Sequence, residues 1–156
     1  VANDNAPGQV VVSGATGAVE RAVEIAKTKG AKRALLLPVS APFHCSMMQP
    51  AADAMATALA EVSMQAPVVP LVANVLAAPI SDPAEIRQRL VEQVAGVVRW
   101  TESVSWLTTT GGVTNLVELG SGKVLTGLAK RIAPQATAQA IGTPADIDAF
   151  VAQLGA

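Results

Sequence analysis

The chain contains a single histidine, His44, which lies where the apolar run Leu36–Val39 gives way to a helical pattern beyond Ser46. The unperturbed pKa of histidine is about 6.5, so the side chain can take and return a proton near neutral pH. Such a residue can serve as a general base. A buried, hydrogen-bonded histidine without a chemical role is the alternative, and residue type and position alone leave both interpretations open.

Other candidate motifs fail on their spacing. The turn Gly120-Ser121-Gly122-Lys123 looks like half a phosphate loop, but Val117 and Val124 stand where that motif needs glycine and a hydroxyl residue. Its N–H groups could still face an anion at the start of a helix. No serine has the Gly-x-Ser-x-Gly setting of a hydrolase elbow, so a self-contained Ser-His enzyme is not expected. The scattered carboxylates support neither a paired-carboxylate mechanism nor a metal site, and Cys45 reads as a small apolar filler.

Composition restricts the protein class. The 156 residues are 51% hydrophobic and 15% charged, which predicts one globular domain with a real core. A formal net charge of -1 provides no basic surface for nucleic acid, and no apolar run is long enough to cross a membrane. The lone cysteine rules out an intramolecular disulfide. We therefore expect the protein to work in the reducing environment of the cytoplasm. Because the chain opens on Val1 rather than Met, we expect it to be a fragment.

Short β-branched runs alternate with helical patterns, which predicts an α/β fold with parallel strand pairing. The caps Asp82-Pro83-Ala84-Glu85 and Thr143-Pro144-Ala145-Asp146 mark two helix starts. The Met-rich stripe from Met48 to Val62 predicts a helix face in the core. The predicted strands are 10–13, 34–37, 68–75 and 116–119, and the predicted helices are 19–29, 48–62, 83–94, 100–110, 123–132 and one from 143 onward.

Four blocks of the sequence together resemble the malonyl-CoA:acyl carrier protein transacylases. The blocks are Asn3–Gly14, Gly30–Ala34, Pro38–Cys45 and Glu118–Leu128, and they occur in the order seen in that family. The resemblance covers only the C-terminal half of such an enzyme. It therefore implies that the serine nucleophile, the arginine that holds the malonyl carboxylate and an oxyanion-hole glutamine all lie outside this chain.

The resemblance implies a ping-pong acyl transfer through a serine ester. His44 matches the catalytic histidine, and Gln93 matches the glutamine whose backbone carbonyl holds the far imidazole nitrogen. Val97 departs from the pattern, because relatives often have proline there. An exposed helix residue is the alternative for Gln93.

Four further positions take weaker assignments from the same resemblance. Asn5 and Phe43 match residues that line the substrate site, Phe43 as a wall that favours malonyl over bulkier groups. Lys32 and Arg33 match a basic pair proposed to dock the acidic acyl carrier protein. A turn asparagine, a core phenylalanine and two solvated surface charges are the respective alternatives.

The implied architecture joins part of a ferredoxin-like small subdomain, residues 1–39, to part of an α/β-hydrolase-like large subdomain, residues 40–156. The implied partners are malonyl-CoA as substrate, acyl carrier protein and the missing N-terminal half, with no cofactor, nucleic acid or membrane. An acyltransferase domain of a multidomain synthase and a non-catalytic fragment that only docks an acyl carrier stay open.

Overall fold

The computed structural model describes residues Val1 to Gly155, in which short strands alternate with helices. The predicted α/β class is confirmed. The strands are β1 (Asn3–Ala6), β2 (Gln9–Val11), β3 (Leu71–Ala73), β4 (Ala78–Ile80), β5 (Val98–Arg99), β6 (Asn115–Leu119) and β7 (Thr137–Ile141). The helices are α1 (Thr16–Thr28), α2 (Gln49–Ala60), α3 (Pro83–Ala95), α4 (Trp100–Thr108), α5 (Val124–Ile132) and α6 (Pro144–Leu154).

The chain divides into two compact units. The first comprises residues 1–5 and 9–100, and the second comprises residues 6–8 and the chain from Thr101 onward. The predicted boundary at residue 39 separates a ferredoxin-like part from an α/β-hydrolase-like part and does not refer to these two units. It stays a prediction.

In the first unit, β1 lies between β2 and β5 and runs parallel to β5, while β3 and β4 form an antiparallel pair. Helix α3 packs against α2 and against a 3₁₀ turn at Ser46–Met48. Arg87 on α3 ties the two helices together, because its guanidinium donates to the backbone oxygens of Leu59 and Val62, each at 2.8 Å. These contacts place the end of α3 beside the segment that carries His44.

Helix α3 begins where its sequence predicts. The Asp82 carboxylate accepts the N–H of Glu85 at 2.8 Å, and Pro83 occupies the first helical position, where its missing N–H costs nothing. The helix runs to Ala95, one residue beyond the predicted end at Val94.

The second unit is built around two parallel strands. β6 and β7 pair from Asn115 opposite Thr137 to Leu119 opposite Ile141. Helix α5 connects them and packs on both strands, burying Leu128 and Ala129. The predicted cap of α6 is confirmed, because Thr143 and Asp146 form a reciprocal capping box.

The prediction of a strand at residues 34–37 is wrong. These residues have no ladder partner among the described residues, and the side chain of Leu36 is 54% exposed. A β-branched or aliphatic run becomes a strand only where a neighbouring strand takes up its backbone groups. Two other strands are shorter than predicted, 9–11 instead of 10–13 and 71–73 instead of 68–75.

The Met-rich stripe of α2 forms a helix face but only part of it is core. Ala52 is buried, whereas Met55 is 41% exposed and Val62 lies beyond the end of the helix. Periodicity shows which residues share a face, and it does not show how much of that face a neighbouring element covers.

Within residues 1–155, no helix combines the length and the apolar character needed to cross a membrane.

Candidate active site

His44 lies in a tight turn that leads into the 3₁₀ turn at Ser46–Met48. Its φ angle is +58°, the left-handed conformation that histidine adopts more readily than most side chains but that still carries strain. Two bonds fix the neighbouring residues: the Phe43 N–H donates to the Ala41 oxygen at 3.0 Å, and the Cys45 thiol donates to the Pro42 oxygen at 3.1 Å. The turn therefore fixes the backbone that carries the half-buried imidazole.

The imidazole of His44 bonds to the end of α3. Its Nδ1 atom lies 3.0 Å from the backbone oxygen of Gln93, which is 49 residues away in the chain. A carbonyl oxygen only accepts hydrogen bonds, so Nδ1 must carry the proton in this contact. In the neutral ring, Nε2 then holds the lone pair and is free to take a proton.

The Gln93 oxygen is available because of its place in the helix. It follows the last helical bond of α3, which joins the Gly96 N–H to the Glu92 oxygen, and so has no partner within the ended helix. The negative end of the helix dipole lies at these carbonyls and complements the positive charge of an imidazole that has taken a proton. The structure thus brings His44 and the Gln93 carbonyl together, as the resemblance implies. Their catalytic role stays a prediction.

Asn5 lies on β1 and is half-buried. In the described part of the chain, no hydrogen bond joins its side chain to His44. Its assignment to a substrate site stays a prediction.

Phe43 precedes His44, and its side chain is 46% exposed. It is thus not an ordinary core phenylalanine within the residues that the structure describes. Its accessible ring beside His44 is compatible with the predicted pocket wall, a role that stays a prediction.

Lys32 and Arg33 follow the glycine turn at Gly30, which ends α1. Both side chains are exposed, and neither has an ion-pair partner among the described residues. The pair is accessible to an acidic partner, and its docking role stays a prediction.

The glycine-rich turn before α5 is already occupied by an internal anion. The Glu118 carboxylate accepts the N–H groups of Leu125 and Thr126 at 3.1 and 2.7 Å, and the Thr126 hydroxyl at 2.7 Å. The backbone and hydroxyl bonds from Thr126 hold the pKa of Glu118 below its usual range. Because this carboxylate satisfies the helix start, the turn has the role of a structural cap, in agreement with the rejection of a phosphate loop.

No protein-family model matches the chain. Among curated proteins, the malonyl CoA-acyl carrier protein transacylase of Salmonella typhimurium is 50% identical over 151 residues, which are 97% of this chain and 48% of that protein. A polyketide biosynthesis protein of Burkholderia thailandensis, ThaF, is 38% identical over 135 residues, which are 86% of this chain and 12% of that protein.

Solved structures similar to this chain are also malonyl transferases of this kind. The acyl-carrier-protein-S-malonyltransferase of Bartonella henselae is 56% identical and superposes with a TM-score of 0.94 over 100% of this chain and 49% of its own. A malonyl-transacylase solved in complex with its type II polyketide synthase acyl-carrier protein is 44% identical, with a TM-score of 0.92 over 97% of this chain and 49% of that one.

The chain spans about half the length of the curated transacylases it matches. The fold likeness extends over its whole length and includes the α/β-hydrolase-like and ferredoxin-like parts expected of these proteins. Over nearly its whole length, the chain is therefore similar to the C-terminal half of the malonyl-CoA:acyl carrier protein transacylases.

Proposed function

We propose that the chain supplies the general-base half of an enzyme that transfers a malonyl group from malonyl-CoA to the phosphopantetheine thiol of acyl carrier protein, a step of fatty acid biosynthesis. The observation that supports it best is the 3.0 Å contact between His44 Nδ1 and the Gln93 oxygen. That contact leaves Nε2 as the proton acceptor. The transacylase relatives name the reaction class in which such a base works.

The proposed reaction has two transfers. A serine hydroxyl from the other half attacks the malonyl thioester carbon, and His44 Nε2 takes the hydroxyl proton and passes it to the departing CoA sulfur. The carrier thiol then attacks the serine ester, and His44 takes the thiol proton and returns it to the serine oxygen. Each cycle restores the free serine and the neutral imidazole, which predicts ping-pong kinetics.

This chemistry needs no metal or organic cofactor, because proton transfer and the serine ester carry both steps. Phe43 is proposed to face the malonyl α-carbon, with Asn5 beside the substrate. Lys32 and Arg33 are proposed to meet the acidic carrier. The complex of a related transacylase with its carrier supports a carrier as partner here. We place the reaction in the cytoplasm, where these substrates would be available.

An acyltransferase domain of a larger synthase is the second candidate. The match to a polyketide biosynthesis protein, of which the chain covers only 12%, favours it specifically. The chemistry at His44 is the same in both cases. A carrier-binding fragment without catalysis is the third possibility, and it predicts carrier binding without transfer.

The test is a chimera in which this chain replaces the matched half of the Bartonella henselae transferase. We expect the chimera to move labelled malonyl from malonyl-CoA to holo-acyl carrier protein. The chain alone should form no malonyl ester, because a general base without its serine has nothing to activate.

Intact-mass spectrometry of the chain after incubation with malonyl-CoA provides the second measurement. A malonyl ester on the isolated chain would contradict the proposal that the serine nucleophile lies in the other half of the enzyme. A folded chimera that binds carrier and transfers nothing would favour the carrier-binding fragment.

A further inference from the structure

One carbonyl oxygen at the end of α3 has two potential donors. In a helix that continued, the Gln93 oxygen would accept the N–H of residue 97, four positions ahead. Residue 97 is valine, which carries that N–H. Within the described chain, Val97 makes no such bond, and His44 Nδ1 holds the oxygen instead. Something at the helix end must keep the Val97 N–H away.

Gly96 ends the helix at the required residue. Its N–H makes the last helical bond to the Glu92 oxygen at 2.8 Å, and its backbone then turns extended, with φ -89° and ψ 158°. A Cβ at this position would lie 2.7 Å from the Glu92 oxygen and 3.0 Å from Val75 Cγ2. Any larger residue would therefore displace the last turn of α3, so the glycine is required sterically.

The Gln93 side chain closes the same turn from the other side. Its Nε2 donates to the Gly96 oxygen at 3.1 Å, across three residues, while its Oε1 is buried without a partner. A buried amide with one satisfied and one unsatisfied end costs free energy that an apolar side chain of equal length would avoid. The only described gain is the bond that holds Gly96 in place.

We propose that the Gln93 side chain and Gly96 are positioning residues that end α3 at the bond from the Gly96 N–H to the Glu92 oxygen. One further helical bond would join the Val97 N–H to the Gln93 oxygen. The two residues thereby reserve this oxygen for His44 and select the ring tautomer with the proton on Nδ1. The inference rests on the proposed function, because the tautomer matters only if Nε2 has to accept a proton.

The test uses the full 156-residue chain labelled with ¹⁵N-histidine, which reports on one residue because His44 is the only histidine. At alkaline pH, the two ring nitrogens of a neutral imidazole give separate ¹⁵N signals for the protonated and the unprotonated atom. The parent chain should show one tautomer, with Nδ1–H protected from solvent exchange.

Gln93→Met keeps the length and the apolar stem but removes the bond to Gly96. We expect a mixture of tautomers and about tenfold faster Nδ1–H exchange, the factor that corresponds to one ordinary hydrogen bond. Gly96→Ala should act in the same direction and more strongly.

Two matched variants control for changes of composition. Gln88→Met alters an exposed glutamine of the same helix, and Gly127→Ala adds a Cβ that meets nothing within 4 Å in α5. Both should retain the parent tautomer and exchange rate.

Circular dichroism decides whether each variant is folded, and if Gly96→Ala unfolds, Gln93→Met carries the test. A folded Gln93→Met chain with the parent tautomer and exchange rate overturns the inference, even if its Tm falls. Loss of the tautomer in Gln93→Met, together with full transfer by a His44→Ala chimera, would instead overturn the proposed function and leave the inference standing.

Discussion

Two helix ends in this chain leave backbone groups without helical partners, and each is satisfied differently. At the start of α5, Glu118 from the preceding strand bonds to residues 7 and 8 positions away. At the end of α3, His44 bonds to the Gln93 oxygen from 49 positions away. The Glu118 carboxylate is directed at the first turn of its own neighbouring helix, where it accepts the N–H groups of Leu125 and Thr126, so that end stabilises the fold. An imidazole that caps with one nitrogen keeps its second nitrogen for chemistry, so that end can support catalysis.

The largest expected effect tests the proposed catalytic role of His44 at the end of α3. His44→Ala in the chimera should slow malonyl transfer by about 10²–10⁴-fold, the usual contribution of a positioned acid-base group. Steady-state transfer to holo-acyl carrier protein measures it, with Glu61→Gln as an exposed control. If malonyl transfer by a folded His44→Ala chimera fell less than threefold, the contact at the end of α3 would be structural, like the cap of α5.

Phe43 tests whether the turn that carries His44 also selects the substrate, as proposed. Phe43→Ser in the chimera should raise the kcat/KM ratio of methylmalonyl-CoA to malonyl-CoA about tenfold, because one methyl group in an apolar pocket is worth roughly 1–3 kcal/mol. Phe43→Leu keeps an apolar wall and should move the ratio less. An unchanged ratio with normal stability would remove Phe43 from the pocket.

Variants at Lys32 and Arg33 test whether these two residues dock the carrier, as proposed. Charge reversal at both positions should raise the KM for carrier several-fold and leave acylation by malonyl-CoA nearly unchanged, because rim charges act on the encounter with an acidic partner. The defect should shrink with salt, since the Debye length is about 8 Å at 0.15 M. Lys130→Glu, at another exposed cation, is the control. A carrier KM that stays constant at low salt would exclude this docking surface.

The smallest expected effect tests the cap that Glu118 provides at the start of α5. Glu118→Gln removes the charged cap of α5 and should lower Tm by a few degrees near neutral pH without changing transfer in the chimera. The folded pKa of Glu118 lies below its unfolded value of about 4.3, so its contribution is complete above that value and is lost as pH falls through the folded pKa. The Tm difference from the parent should therefore shrink below about pH 4.

Thermal melts across pH measure this difference, with Asp148→Asn as an exposed control in the same unit. A Tm difference that grows toward acid pH would contradict the charged cap at Glu118. A loss of transfer in a stable Glu118→Gln chimera would contradict a purely structural role for the start of α5.

The predicted helices were accurate where a local cap defines them. Asp82 and Thr143 bond to N–H groups three residues ahead, so the chain itself carries the information for both starts. The strands were less accurate, because pairing depends on a distant partner. Asn3–Ala6, a polar stretch, pairs with Val98–Arg99, whereas the aliphatic run at Leu35–Leu37 pairs with nothing described.

The candidate site divides in the same way. His44 stood out from its residue type, and the family resemblance pointed to Gln93. Gly96 was missed, although it lies two residues after the predicted helix end and a glycine near a helix end is a recognised stop signal. Nothing in its type or spacing shows that a Cβ would collide with Glu92 and Val75.

By itself, the sequence determined the alternation of helices and strands, the capped helix starts and the presence of one imidazole without a serine elbow. These properties depend on residue types and on bonds spanning a few positions. The family resemblance implied a contact between the imidazole and the Gln93 carbonyl, but residue types and spacing did not, and only the tertiary structure shows that contact and its geometry. That contact exists because α3 packs against the turn after His44 and ends at Gly96, and the packing free energy of distant segments cannot be read from local spacing.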